Sequence, residues 1–241
     1  MQTLKDQVAI VTGASKGIGR SIALRFAAEG CRVVLASLPG PALKEAAEEI
    51  RRQGGSAMSV AADVSDATGA GEIAGQTVAT FGKVDILINN AGVIHNRINV
   101  VDFPVDEWER VIKVNLTGVF LMCRAVLPTM LKQRSGRIIN IASIGGRRGA
   151  AGRTAYRASK AAVINFTESL AAEVYVHGIH VNGICPSAVK TEMYTSVFGS
   201  EHIMMPPEEI AELALFLASG KSAAITGTSI DAFGRANPLF A

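Results

Sequence analysis

Apolar residues fall in short blocks that alternate with longer stretches of helical spacing, from Val8 almost to the end of the chain. Val8-Ala9-Ile10-Val11 is wholly apolar and rich in β-branched residues, as expected for a strand buried on both faces. Ile18, Ile22 and Phe26 then recur every four residues and predict a helix ending near Gly30. The alternation continues, with strands predicted over residues 32–36, 56–61, 86–88, 137–141, 180–184 and about 228–231. Helices are predicted over 41–53, about 70–81, about 105–115, 116–131, 155–176 and 207–217. Short apolar strands alternating with helices point to an α/β fold, a doubly wound parallel sheet of about seven strands with helices on both faces. No linker, low-complexity run or long-period repeat interrupts the pattern, so a single domain over 1–241 is expected.

Bulk composition narrows the picture by exclusion. The chain of 241 residues is 49% apolar and 19% charged, which suits a globular protein with a sizeable core. A net charge of +3 with scattered Lys and Arg gives no reason to expect a nucleic-acid partner. The N-terminus opens polar, and no secretory signal or membrane-spanning run is expected. Cys31, Cys123 and Cys185 are far apart, so three reduced thiols in a cytoplasmic protein are expected. Four His residues without metal-ligand spacing suggest no metal site.

Candidate chemistry clusters where strands end. Thr12-Gly13-Ala14-Ser15-Lys16-Gly17-Ile18-Gly19 lies between the first strand and the first helix. In that setting glycines let backbone N–H groups approach a diphosphate, and the helix N-terminus adds partial positive charge. Asp63-Val64, Asn89 to Gly92, Ser143 and Pro186 also fall just after predicted strands. That is where open α/β sheets bind ligands, although turn chemistry alone explains any one of them. Tyr156 and Lys160 are four apart at the start of a predicted helix, which puts both on one face. An ammonium there favours the phenolate, and a phenol so poised can give a proton to a carbonyl or take one from an alcohol. A Tyr and a Lys on an ordinary amphipathic helix would look the same, so the remaining motifs decide.

T-G-A-S-K-G-I-G at 12–19, N-N-A-G at 89–92, Asn115, Ser143 and Y-R-A-S-K at 156–160 occur in one order along the chain. With P-S-A-V-K-T at 186–191, they resemble the short-chain dehydrogenase/reductase family in its single-domain branch, and 3-oxoacyl-[acyl-carrier-protein] reductases within it. The resemblance implies a Rossmann-type fold and an NAD(P)-dependent oxidoreductase that interconverts a ketone and a secondary alcohol. Tyr156 would be the general acid/base, and Lys160 would lower its pKa and hold the nicotinamide ribose. Ser143 would hydrogen-bond the substrate oxygen, and Asn115 would hold a relay water. Gly13, Ser15, Lys16, Gly17, Ile18 and Gly19 would cradle the diphosphate. Asn90, Ala91 and Gly92 would shape the ribose edge, and Asp63 and Val64 would flank the adenine. Pro186, Val189 and Thr191 would meet the carboxamide and diphosphate. A homotetramer is implied, with the helix of Tyr156 against its symmetry mate.

Residues 32–40 contain no Asp or Glu, and Ser37 stands where the ribose-binding acid usually lies. Lys16 would pair with a 2′-phosphate as a point charge, so NADP(H) is expected over NAD(H), although Leu38 replaces the family's other marker, an Arg. An NAD-dependent sugar, polyol or steroid dehydrogenase is the alternative, and a non-catalytic nucleotide sensor a remote one.

Several departures from the family pattern leave questions open. Ser187 replaces the usual Gly after Pro186. The short segment after Thr191 carries Met193, Tyr194, Phe198, Met204 and Met205, which would either line an apolar substrate wall or pack the segment onto the body. Asp231-Ala232-Phe233-Gly234 stands where relatives often have D-G-G, and Pro238-Leu239-Phe240 reads as an apolar tail. Arg147, Arg148, Arg153 and Arg157 read either as a rim that attracts an acidic substrate, such as an acyl group on a phosphopantetheine carrier, or as solvated charge or a subunit contact.

Overall fold

The structure, a computed structural model, describes residues 2–199 and 203–234; the apolar tail at 238–240 lies outside them. Seven strands are present: β1 (Val8–Thr12), β2 (Arg32–Ser37), β3 (Ser56–Ala61), β4 (Ile86–Asn89), β5 (Gly136–Ile141), β6 (Ile179–Pro186) and β7 (Ser229–Ala232). They form one sheet in the order β3-β2-β1-β4-β5-β6-β7. Every pair is parallel, with Ile10 beside Val34 on one side and Leu87 on the other. This is the Rossmann-type architecture expected from the alternating pattern.

Alternation along each strand feeds two cores. Ala9 and Val11 of β1 face α1 (Gly17–Ala28), α2 (Pro41–Arg52) and α8 (Pro207–Ala218), through Ile22, Phe26, Leu43 and Ile210. Ile10 faces α3 (Ala67–Phe81), α5 (Gly118–Gln133) and α6 (Thr154–Val174), through Ile73, Met122, Val126 and Val163. Strand order reverses between β1 and β4, and a crevice opens there beyond the strand ends.

Two elements differ from the sequence expectation. The helices expected at 105–115 and 116–131 are one continuous run, with α4 (Val105–Ile112) joined to α5 through a π turn, Lys113–Thr117. Val111, Asn115 and Val119 all point inward. Two successive steps of four would drift by about 80° in a regular α-helix, and the wider turn absorbs that drift. At 29 residues, Val105–Gln133 has the length and apolar content of a membrane-crossing helix, where no such run was read in the sequence. Here Met122, Cys123, Val126 and Met130 pack it against the sheet. The second difference is a short helix, α7 (Glu192–Phe198), in the segment after Thr191 where no helix was expected. Thr191 caps it, its hydroxyl accepting from the Tyr194 N–H at 3.2 Å.

Polar side chains inside the second core are paired across elements. Asn89 on β4 donates to Asn140 on β5 at 2.9 Å, and Asn140 donates to the Thr167 hydroxyl on α6 at 2.9 Å. Thr167 in turn donates to the Val163 carbonyl at 2.7 Å. The relay fixes α6 against the sheet. A Thr167→Val substitution keeps the shape and strands the Asn140 amide, so stability should fall by about 1–3 kcal/mol. Urea unfolding should show a lower midpoint at unchanged slope.

Candidate active site

The crevice holds a cavity of about 690 Å³, within the range of small-molecule sites. It is built from strand ends. β1 leads into Gly13 and Gly17, whose φ values of +62° and +56° suit glycine alone among ordinary residues. A Cβ on Gly19 would lie 2.4 Å from the Gly13 carbonyl oxygen, so the third glycine lets α1 start close to the turn. Lys16, at the N-cap of α1, makes no side-chain cap, which leaves the first N–H groups of the helix free of a side-chain partner. A cradle that Cβ atoms would fill, at an uncapped helix N-terminus, fits a dinucleotide diphosphate.

Thr12 braces the crevice. Its hydroxyl accepts from the N–H groups of Asn90 and Ala91 at 3.0 and 3.1 Å and donates to the Ile88 carbonyl at 3.2 Å. The Asn90 amide donates to the carbonyls of Thr12 and Gly13 at 3.0 and 3.2 Å. Asn90 therefore clamps the glycine turn to β4, while Ala91 and Gly92 line the cavity beside it. Across the cradle, Thr191 stands opposite Gly17, whose Cβ would meet its methyl at 3.2 Å.

At the adenosine end, Ser15, Lys16, Ser37, Asp63 and Val64 line the wall. The hydroxyls of Ser15 and Ser37 are 3.2 Å apart, and the Asp63 carboxylate accepts from the Ser65 N–H at 2.8 Å. Lys16 does not turn toward Ser37. Its ammonium pairs with Glu192 of α7 at 2.6 Å, both side chains mostly exposed. Such a pair contributes about 0–1 kcal/mol, little enough to exchange for a phosphate.

At the opposite end, β5, the loop after it and α6 bring together Ser143, Tyr156 and Lys160. Lys160 is buried and donates to the Ile141 carbonyl at 2.8 Å; burial holds its pKa down at about 8. Its ammonium is 6.0 Å from the Tyr156 ring centroid. The phenol lies above its ordinary pKa, the reverse of the direction expected from Lys160 alone. Burial is the largest cause, opposed by the Ser143 hydroxyl and then by Arg157 and Arg153. Asn115 is wholly enclosed in the π turn, its side chain exchanging hydrogen bonds of 2.7 and 2.9 Å with the Val93 backbone. Its amide also donates to Ser159 at 3.1 Å. Gly92 sits between Asn115 and the Lys160 ammonium. Of the residues expected in the site, only Gly19 and Asn115 lie behind the cavity wall; the others, with Ile18, Pro186 and Val189, line it.

The open questions resolve residue by residue. Ser187 has no positive φ, and its N–H donates to Ala232 at 2.8 Å, so the position does not require glycine. Met193, Tyr194 and Phe198 line the cavity, whereas Met205 is buried and bridges Val189. The arginines separate: Arg147 is bound to Asp231 at 2.9 Å and to the Ser229 carbonyl, whereas Arg153 and Arg157 line the cavity. The sequence reading missed His95. Its Nε2 accepts from the Tyr156 N–H at 3.2 Å, and its Nδ1 is 2.6 Å from the Asn96 carbonyl. Only the neutral ring protonated at Nδ1 satisfies both contacts, and it holds the first turn of α6 across 61 residues of sequence.

A dinucleotide cradle joined to a Ser, Tyr and Lys on one wall defines the class, a nucleotide-dependent oxidoreductase. Comparison with known proteins agrees. The short chain dehydrogenase family matches residues 7–201. A 3-oxoacyl-[acyl-carrier-protein] reductase of Synechocystis is 40% identical over 97% of this chain and 98% of its own length. The Chlamydia trachomatis enzyme of that name is 39% identical, over 96% of this chain and 97% of its own. A crystal structure from Beutenbergia cavernae, described as a candidate NAD(P)-dependent gluconate 5-dehydrogenase with NADP at low occupancy, superposes with a TM-score of 0.89. It is 34% identical and covers 95% of this chain and 96% of its own. The chain belongs to the short-chain dehydrogenase family.

Burial of Lys160 has a measurable signature. Its folded pKa of about 8 lies below the ordinary 10.5, so between those values the unfolded chain binds the extra proton. Stability from this group therefore rises with pH across that window and is flat outside it. Relative to Lys160→Met, the native protein should gain urea stability from about pH 8 to about pH 10.5; parallel pH curves for the two proteins would refute the burial.

Proposed function

We propose that the protein interconverts a ketone and a secondary alcohol with NADP(H), using Tyr156 as general acid/base. The observation that carries this reading is the placement of Ser143, Tyr156 and Lys160 on one wall of a cavity whose far end is the Gly13–Gly19 cradle. The nicotinamide supplies the hydride in reduction and accepts it in oxidation. The chain's residues bind, orient and move a proton. Ser143 donates to the substrate oxygen, where charge develops as the carbonyl is reduced. The Tyr156 hydroxyl gives its proton to that oxygen, and the positive groups around it stabilise the phenolate left behind. Lys160 holds the ribose hydroxyls and returns a proton to Tyr156, through a water at the Asn115 turn. The Ser143 hydroxyl and then Arg157 and Arg153 pull the phenol down against the rise that burial causes.

NADP(H) is favoured because no carboxylate follows β2, while Ser15, Ser37 and an exchangeable Lys16 flank the place of a 2′-phosphate. The NADP in the Beutenbergia structure supports the same choice. The relatives' names make a 3-oxoacyl thioester the first comparison substrate. We place the protein in the cytoplasm and read its assembly as a homotetramer. Exposed Trp108 and Phe120 on α4 and α5 supply apolar surface for contact between copies, and Ala161 is exposed on α6.

Three measurements test these readings. Against a ketone panel, NADPH oxidation should exceed NADH oxidation in kcat/KM by about tenfold or more, equivalent to about 1.4 kcal/mol. Tyr156→Phe should bind NADPH almost normally yet lose turnover by about 10²–10⁴-fold; surviving turnover would remove the proton role from Tyr156. Sedimentation equilibrium should return four times the chain mass of 25.2 kDa, and a monomer would refute the assembly.

A further inference from the structure

Four arginines crowd residues 147–157, and the fold treats them differently. Arg147 has its carboxylate, Asp231. Arg148 is exposed, and its carbonyl accepts from the Arg157 guanidinium. Arg153 is only 6% exposed and Arg157 is half-buried, and both line the cavity. Among the described residues, no carboxylate lies within 4.0 Å of either guanidinium.

A buried charge without a counter-charge is expensive and rare. Arg153 offers five N–H donors, and among the described residues a single protein acceptor takes one, the His95 carbonyl. Its guanidinium lies over the Phe198 ring, 4.6 Å from the centroid, so the lid helix α7 shields it from water. The fold adds further positive charge. Burial lowers the pKa of Arg153, and Arg97 and Arg157 lower it further. Nothing among the described residues explains a cation kept in that setting.

Helical geometry gives the arginines a common direction with the reacting groups. At about 100° per residue, positions 156, 157 and 160 fall within an arc of about 100° on α6, and Arg153 is the N-cap of the same helix. Both guanidiniums line the cavity and act on the Tyr156 phenol, and Arg153 faces Phe198 of α7, so both are within reach of the body of a substrate whose carbonyl meets Tyr156 and Ser143. We infer that Arg153 and Arg157 form an anion subsite, and that the physiological substrate is a small oxo acid or hydroxy acid whose free carboxylate lies a few bonds from the reacting carbon. Sugar acids fall within this class. A carrier-bound 3-oxoacyl thioester is uncharged at that place and leaves the arginines unmatched. A carboxylate accepts two parallel N–H bonds from a guanidinium, which a neutral ester or thioester cannot replace.

The inference rests on the ketone–alcohol reading of the site. In reduction the hydride goes to the carbonyl carbon and the Tyr156 proton to its oxygen. The carboxylate takes no part in bond making, so substrate and product carry the same charge into the subsite.

The test uses the full chain with NADPH and matched pairs: acetoacetate and methyl acetoacetate, 5-oxo-D-gluconate and L-sorbose, with an acetoacetyl thioester as a third arm. At least one acid should exceed its neutral counterpart by 100-fold or more in kcat/KM. Arg153→Gln and Arg157→Gln should each raise KM for that acid by 10-fold or more, with a penalty at least tenfold larger than on its neutral partner. Arg153→Lys should recover part of the loss by keeping the charge. Calorimetric titration of the NADP⁺ complex with the matching hydroxy acids gives a readout independent of turnover. Saturable binding that weakens with salt supports the subsite, and no binding by any acid overturns it. Equal rates for acid and neutral partner, a preference for the thioester, or equal losses on both in the arginine variants also overturn it. Each of those results leaves the wider reading standing if turnover still depends on Tyr156. No NADPH-dependent turnover of any ketone, or full turnover by Tyr156→Phe, would instead defeat the wider reading.

Discussion

The side-by-side pairing of β1 and β4 is the constraint on which the rest of the molecule depends. The two strands send their following helices to opposite faces of the sheet, so nothing bridges their ends except what the sequence places there. Thr12 and Asn90 supply that bridge, with four hydrogen bonds from β1 to the turn after β4. The brace holds the glycine turn open against α1 and aligns Gly92 with Lys160 and Asn115. Cradle and proton-transfer wall are therefore parts of one rigid frame. A shift of the brace would move both together.

The electrostatics of the substrate end follow from burial. Removing water from Tyr156 and Lys160 disfavours the charged form of each, so the phenol rises and the ammonium falls. The two shifts reverse the ordinary order, leaving the Lys160 ammonium more acidic than the Tyr156 phenol, so return of a proton from Lys160 to a Tyr156 phenolate runs downhill. Counteracting positive groups come from Arg153 and Arg157 on the same helix, so one short stretch of sequence sets both acidity and charge preference.

Much of this was legible in the sequence, for identifiable reasons. β1 and β4 are apolar up to their last residues, Thr12 and Asn89, because both faces are covered, and a period-free apolar block of that length is hard to mistake. The glycines at 13, 17 and 19 carry their backbone demands openly, and Tyr156 and Lys160 share a face by spacing alone. What was not legible depended on distant partners. His95 holds α6 from 61 residues away, with no local pattern to announce it. Lys16 was read as the partner of a 2′-phosphate, but Glu192 lies within its reach only because α7 forms. The four arginines looked alike in sequence, and only the position of Asp231 on β7 separates Arg147 from those that face the cavity.

The π turn at Lys113–Thr117 divides one continuous helix into two reading frames. Before it, Val111 marks the inward stripe; after it, Met122, Val126 and Met130 resume the stripe in a new phase. The turn therefore behaves as an inserted residue that the packing has kept. Winding the same residues as a regular α-helix would rotate everything beyond the turn by about 100° relative to α4. Apolar residues that now face the sheet would turn toward solvent, and Asn115 would leave the Val93 backbone. In an alignment of relatives, this stretch would tolerate substitutions at its surface positions but not a change in length.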